Sequence, residues 1–249
     1  MSPTLAGLRV LVTRPAHQAA GLVIKLEDAG ALVSTLPLLA IAPPQDPEAA
    51  RAALHAGANA DFWIFTSANA VDGAQQLYGE RWPATLFALG QGSVRALARH
   101  GHRAIAPEGG TSEDLLLWPE LGDLQGKRVL IVTGEGGRQL LVQTLTARGA
   151  QVTLACCYRR LRVAHPPAVV QAALAATDVA VLTSGEALMA VQALADVSAL
   201  PLLLPSQRVA QAARASGCKA AILLPAAVSD AAILARLEQW QRAPHNDHP

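Results

Sequence analysis

At six places in this sequence a small hydroxyl residue, sometimes beside glycine, directly follows a short apolar run: Thr13-Arg14, Thr66-Ser67, Gly90-Gln91-Gly92-Ser93, Thr133-Gly134, Thr183-Ser184-Gly185 and Pro205-Ser206. Hydroxyls and free backbone amides in such positions can hold carboxylate or phosphate oxygens without a buried lysine. Serine and threonine also cap helices there, and the two roles are compatible. Arg14 and Arg138 open corresponding helices; each could clamp a carboxylate with paired N–H donors or stand solvated at the surface. Tyr158 ends another apolar run, and its phenol could donate a proton or hydrogen bond, or simply pack in a core.

Other chemistries lack their residues. Gly134-Glu135-Gly136-Gly137-Arg138 has neither the GxGxxG spacing of a dinucleotide fold nor the Gly-Lys-Ser/Thr ending of a P-loop. The seven histidines form no ligand motif, no serine stands in a GxSxG context, and no carboxylate pair is set at helical spacing. No metal and no cofactor are expected. Cys156, Cys157 and Cys218 read as buried free thiols of a reducing cytoplasm, because neighbouring residues on a strand point to opposite faces and cannot bridge.

Composition narrows the class further. The chain of 249 residues is 51% hydrophobic and 16% charged, which excludes a disordered protein. Lys+Arg 20 against Asp+Glu 19 leaves a net charge of +1 with no basic stripe, so a nucleic-acid partner is not expected. The most apolar stretches are broken by Asp196, Pro201, Pro225 and Asp230, short of the roughly 18 residues a membrane span needs. The start of the chain reaches Arg9 and Arg14 without a secretory signal core. A small-molecule substrate and a monomer in the cytoplasm are the expectation.

The elements that would position these residues repeat. Arg9–Thr13 matches Arg128–Val132, and the register continues without a gap through Leu22/Leu141, Leu26/Leu145 and Gly30/Gly149 at a constant offset of 119 residues. Asp61–Ser67 matches Asp178–Ser184, 117 residues apart. Each repeat reads strand, amphipathic helix, glycine stop, strand, which predicts parallel sheets covered on both faces by helices. Proline-bearing segments break both repeats at an equivalent place, Pro37–Pro44 and Tyr158–Pro167, and read as crossings between domains. The expected domains are therefore residues 1–38 with 163–249, and an inserted 44–158, with linkers at 39–43 and 159–162. The β-runs divide five to each: 8–13, 32–36, 179–183, 201–205 and 220–224 against 61–66, 85–89, 103–106, 128–132 and 151–155. The fold class is α/β, two doubly wound parallel-sheet domains of the flavodoxin/Rossmann kind, one inserted in the other. In such sheets ligands bind beyond the carboxyl ends of the strands, and the hydroxyl strand ends are expected to line a shared cleft.

Val-Thr13-Arg14-Pro15, Phe65-Thr66-Ser67-Ala-Asn69-Ala-Val71, Leu89-Gly90-Gln-Gly-Ser93, Thr111-Ser112-Glu113-Asp114-Leu115-Leu116 and Gly149-Ala-Gln-Val-Thr-Leu-Ala-Cys-Cys-Tyr158 occur in this order. Together with the second Thr-Ser at 183–184, the set resembles the uroporphyrinogen-III synthases over residues 7–240. The resemblance implies two α/β domains joined by a two-stranded linker. It implies conversion of hydroxymethylbilane, a linear tetrapyrrole bearing eight carboxylates, into uroporphyrinogen III with loss of water and inversion of ring D. It also implies a transient handover from the enzyme that makes the substrate. Tyr158 is the implied helper for departure of the hydroxyl, and Thr66, Ser67, Ser93, Thr183 and Ser184 are the implied carboxylate holders. The strand-end reading adds Thr13, Arg14, Gly134, Arg138 and Gly185. One position departs: Ser93 stands eight residues before Gly101, but Val209 stands eight before Gly217, and Ser206 or Arg208 would have to substitute. The competing classes are a nucleotide-dependent α/β transferase and a non-catalytic two-lobed module binding an anionic small molecule.

Overall fold

The structure, a computed structural model, describes residues 3–83, 85–137 and 139–243. Its chain divides into two compact units, Met1–Ala40 with Leu161–Pro249, and Ile41–Arg160.

The first unit holds a five-stranded sheet of β1 (Arg9–Val12), β2 (Leu32–Thr35), β8 (Val179–Val181), β9 (Leu202–Leu203) and β10 (Ile222–Leu223), in the order β10-β9-β8-β1-β2. Every pair in it is parallel. Alternation along the strands decides which face each side chain serves. Leu11 and Ala180 enter one core with α7 (Pro167–Ala175), α8 (Gly185–Gln192) and α9 (Gln207–Ala215). Val10, Val12, Val179 and Val181 enter the other with α1 (Ala16–Asp28) and α10 (Asp230–Arg242). The α1 stripe of Ala19, Leu22 and Leu26 is buried as its helical spacing predicts.

The second sheet comprises β3 (Leu39–Ala42), β4 (Phe62–Phe65), β5 (Leu86–Ala88), β6 (Arg128–Gly134) and β7 (Gln151–Arg162), in the order β3-β7-β6-β4-β5, with β3 and β7 running across the unit boundaries at Ala40/Ile41 and Arg160/Leu161. The pairs β4–β5, β4–β6 and β6–β7 are parallel. Trp63, Phe65, Leu130 and Val132 pack under α2 (Pro47–Ala56), α3 (Ala68–Leu77) and α4 (Gln91–Arg99). Ile64, Val129 and Ile131 pack on the opposite face under α5 (Ser112–Leu116) and α6 (Leu140–Ala147).

The repeat is visible in these positions. β1 lies between β8 and β2 as β6 lies between β4 and β7. At the amino ends of the paired strands, Asp178 accepts the Arg9 backbone N–H at 2.8 Å, and Asp61 accepts that of Arg128 at 2.9 Å. Gly30 and Gly149 close the matched helices at φ +92, a conformation that side chains resist.

Three stretches differ from the sequence reading. Residues 103–106 make only an isolated bridge, Ile105 to Phe87, because the run ends at Pro107, which has no N–H for a ladder. Leu39–Ala42 form a strand outside the ten β-runs counted from sequence, though within the segment expected to be one half of a two-stranded linker; Pro37 and Pro43 flank it at the sheet edge, where proline is tolerated. β7 also runs on through Arg162 rather than stopping near Ala155.

Candidate active site

In each unit the strand order reverses beside the first strand of a βα unit, at β1/β8 and at β4/β6. Such reversals leave a crevice past the carboxyl ends. In the second unit those ends meet at Thr66 and Thr133. Thr66 Oγ1 donates to Thr133 Oγ1 at 2.9 Å, and the Thr66 N–H donates to the Val132 carbonyl at 3.1 Å. The next residue, Ser67, is extended and caps α3, its Oγ accepting the Ala70 N–H at 3.1 Å. The cap leaves the Ser67 hydroxyl hydrogen available, and it is donated to Tyr158 Oη at 3.1 Å.

Tyr158 comes from β7, where the register with β6 steps from Thr133–Cys156 to Gly134–Tyr158, passing over Cys157. An irregularity of this kind re-aims a side chain. The ring is thereby laid against Gly134, where a Cβ would stand 2.5 Å from ring Cζ. The loop after β6 is tied back to the same strand, with the Glu135 N–H donating to the Tyr158 carbonyl at 2.9 Å. Arg160, two residues further along, donates from Nη1 to Tyr158 Oη at 3.0 Å, its guanidinium carbon 5.7 Å from the ring centroid.

These groups line a cavity of about 470 Å³. Its polar wall is Thr66, Ser67, Ser112, Thr133, Gln139, Tyr158 and Arg160; Leu89, Ile131, Leu141, Val142 and Leu154 form an apolar wall. Gly134, Gly136, Gly137 and Cys156 complete it. Burial raises the Cys156 thiol, with a smaller push from Glu135, and raises that of Cys157 to about 12. Both stay protonated near neutrality and are poor nucleophiles. The Tyr158 phenol, bonded to Ser67 and Arg160 in the same lining, can donate a proton or hydrogen bond to a bound group.

Of the residues expected at a site, Thr66, Ser67, Gly134 and Tyr158 come together in this cavity. Ser93 lies buried in the first turn of α4 and is not part of the lining. Arg138 lies outside the described residues. The others belong to the first unit. Thr13 is buried at its switch point and donates its hydroxyl to the Val181 carbonyl at 2.9 Å. Arg14 is held by Asp230 at 2.5 Å and by the Val228 carbonyl at 3.3 Å. Thr183, Ser184 and Gly185 are half-buried, with Ser184 capping α8 through the Ala187 N–H at 3.0 Å. Val209 is absorbed into the core, its side chain 3.7 Å from where a Gly185 Cβ would be. Ser206 is spent as the exposed cap of α9. Arg160 was not singled out from sequence, although it continues the alternation Leu154, Cys156, Tyr158 along the strand.

The family described as uroporphyrinogen-III synthase HemD matches residues 21–233. The uroporphyrinogen-III synthase of Escherichia coli K12 is 35% identical over 226 residues, spanning 84% of this chain and 92% of the relative. This chain belongs to the uroporphyrinogen-III synthase family. The Proteus mirabilis synthase is 37% identical over 163 residues, 62% of this chain and 81% of its own. Among solved structures, a mutant uroporphyrinogen III synthase from the extremely thermophilic bacterium Thermus thermophilus superposes with a TM-score of 0.65 at 19% identity, covering 95% of this chain and 98% of its own. The uroporphyrinogen-III synthetase of Helicobacter pylori 26695 gives 0.63 at 15% identity, covering 94% and 100%. At those identities the likeness is one of fold, and it fits a synthase of two α/β units.

Proposed function

We propose that this protein cyclises hydroxymethylbilane to uroporphyrinogen III with loss of water and inversion of ring D, as a step of tetrapyrrole biosynthesis. Family membership supports the reaction, and the nucleotide-transferase and binding-module readings are not favoured. The single structural observation that carries the assignment to a site is the Tyr158 phenol, seated at a strand switch point among hydroxyl donors and one guanidinium.

The chemistry asks little of a catalyst beyond one proton and firm positioning. A proton passes from the Tyr158 phenol to the hydroxymethyl oxygen, the C–O bond breaks, and the pyrrole nitrogen lone pair fills the vacancy to give an azafulvenium cation and water. The substituted carbon of ring D attacks that cation to give a spiro intermediate. Its older ring D bond then breaks, and the free carbon of ring D closes the macrocycle in the inverted sense. Loss of the hydrogen from that carbon restores the pyrrole and returns a proton to the phenolate. Water excluded from an apolar wall and donors fixed in advance favour this order over spontaneous closure.

Thr66, Ser67, Thr183, Ser184 and Gly185 are proposed to hold substrate carboxylates through hydroxyl and amide donors, with Thr13 and Ser93 as further candidates. Arg14 would reach a carboxylate only by exchanging Asp230 for it. A cavity of about 470 Å³ takes part of a tetrapyrrole rather than all of it. Because the substrate closes spontaneously, a short handover from the enzyme that forms it, in the cytoplasm, is part of the proposal. Among the described residues no helix is long and apolar enough to cross a membrane.

The test is product analysis. Enzymatically generated hydroxymethylbilane incubated with the protein should yield the type III isomer. The symmetric type I isomer alone, as in a protein-free control, would contradict the proposal.

A further inference from the structure

Tyr158 Oη receives two hydrogen bonds, one of them from a group that can only donate. A guanidinium has only N–H donors, so Arg160 Nη1, at 3.0 Å, must donate. Ser67 Oγ already accepts the Ala70 N–H in capping α3, and it donates its own hydrogen to the phenol at 3.1 Å. With both acceptor positions of the phenol oxygen filled, its hydrogen has no place among these two partners and is left for an acceptor in the cavity. The positive charge of Arg160 lies on the same oxygen that becomes negative as the proton leaves. A charged donor aimed at developing charge in a water-poor site stabilises it more than it stabilises the neutral ground state.

We propose that Arg160 is a positioning residue of the reaction: with Ser67 it fixes the Tyr158 hydroxyl as an outward-pointing proton donor, and it stabilises the phenolate left when the hydroxymethyl oxygen departs as water. The inference rests on the proposed cyclisation and adds to it a residue that acts through the phenol. The step is balanced, since the O–H bond of Tyr158 breaks as the new O–H bond of water forms and the C–O bond electrons leave with the oxygen. Arg160 changes no bond. It holds charge until the closing pyrrole returns the proton.

The placement of Arg160 follows from β7. Leu154, Cys156, Tyr158 and Arg160 are alternate residues of that strand and all line the cavity. The strand must therefore continue through the Tyr158-Arg159-Arg160 segment for the guanidinium to reach the phenol.

The experiment is a double-mutant cycle on the full chain, scored as initial rate of type III formation with KM and kcat separated. Arg160→Gln keeps a donor amide but removes the charge, and kcat should fall about 100-fold, with KM changed far less. Arg160→Lys restores a charged donor and should recover part of the loss. In a Tyr158→Phe background, Arg160→Gln should bring almost no further loss of kcat, because residues acting as one unit are not additive. A loss confined to KM, or full additivity with Tyr158→Phe, would overturn the inference by making Arg160 an independent substrate anchor. Activity of Arg160→Gln equal to that of the native chain would overturn it as well. If Arg160→Gln does not fold, Arg160→Met, which keeps the length of the stem and removes the charge, carries the same cycle. Failure of the native chain to make type III product is a separate result, and it removes the activity itself.

Discussion

The ring of Tyr158 rests on the α-carbon of Gly134, so closely that a β-carbon there would lie 2.5, 2.7 and 2.8 Å from the ring Cζ and Cε atoms. Glycine at this position thus acts through its lack of a side chain, as the seat of the phenol. Gly134→Ala should push the stiff ring off that seat and lower turnover about 100-fold, the cost of a displacement near 1 Å at a reacting group. It should also destabilise the fold by about 1–3 kcal/mol through overpacking. Adding Tyr158→Ala removes the clash, so thermal denaturation of the double variant should show less loss than the two single losses combined. Full additivity would place the ring elsewhere.

Arg14 and Asp230 tie the first helix of the unit to its last, with the Arg14 side chain only 9% exposed. Without Arg14, the Asp230 carboxylate, 30% exposed and in the first turn of α10, keeps water and the helix N-terminus as partial compensation. Arg14→Ala should therefore destabilise the protein by about 1–2 kcal/mol, through the lost charged hydrogen bonds and the lost packing of the buried arginine stem, read as a lower midpoint in urea. An unchanged midpoint with a raised KM would instead show that Arg14 is used mainly on substrate.

The matched Asp178 and Asp61 should make themselves felt in acid. Hydrogen bonds from Arg9 hold the Asp178 carboxyl below its usual range, and the Arg128 backbone N–H does the same for Asp61. A carboxylate depressed in the folded state contributes stability that is complete above its unfolded pKa and is lost as pH falls through its folded one. Asp178→Asn should consequently lower Tm near neutrality, with the difference from the native protein shrinking below about pH 4. A gap that stayed constant down through acid pH would contradict the assignment.

Much of this architecture was legible because the repeat is written in positions that packing constrains. Arg9–Val12 and Arg128–Val132 are central strands buried on both faces, so their apolar runs survive as a pattern. The hydroxyls of Thr66, Ser67 and Thr133 were legible as residues following such runs. What escaped lies at edges. Leu39–Ala42 is a short apolar run bracketed by Pro37 and Pro43, and Arg159, Arg160 and Arg162 mask the period of two in the second half of β7. Arg160 fell in a stretch read as linker for that reason. The part played by Gly134 escaped for another: the contact that requires glycine comes from a residue on a neighbouring strand, set by a register step no local sequence signals.

The central claim is that the Tyr158 phenol delivers the proton that releases water. Its most direct measurement is the rate of type III formation by Tyr158→Phe, in a variant shown by thermal denaturation to be folded. Loss of the hydroxyl should lower kcat about 100-fold while KM stays close to that of the native chain. A folded Tyr158→Phe protein making type III product at the native rate would contradict the account and leave Tyr158 a packing residue.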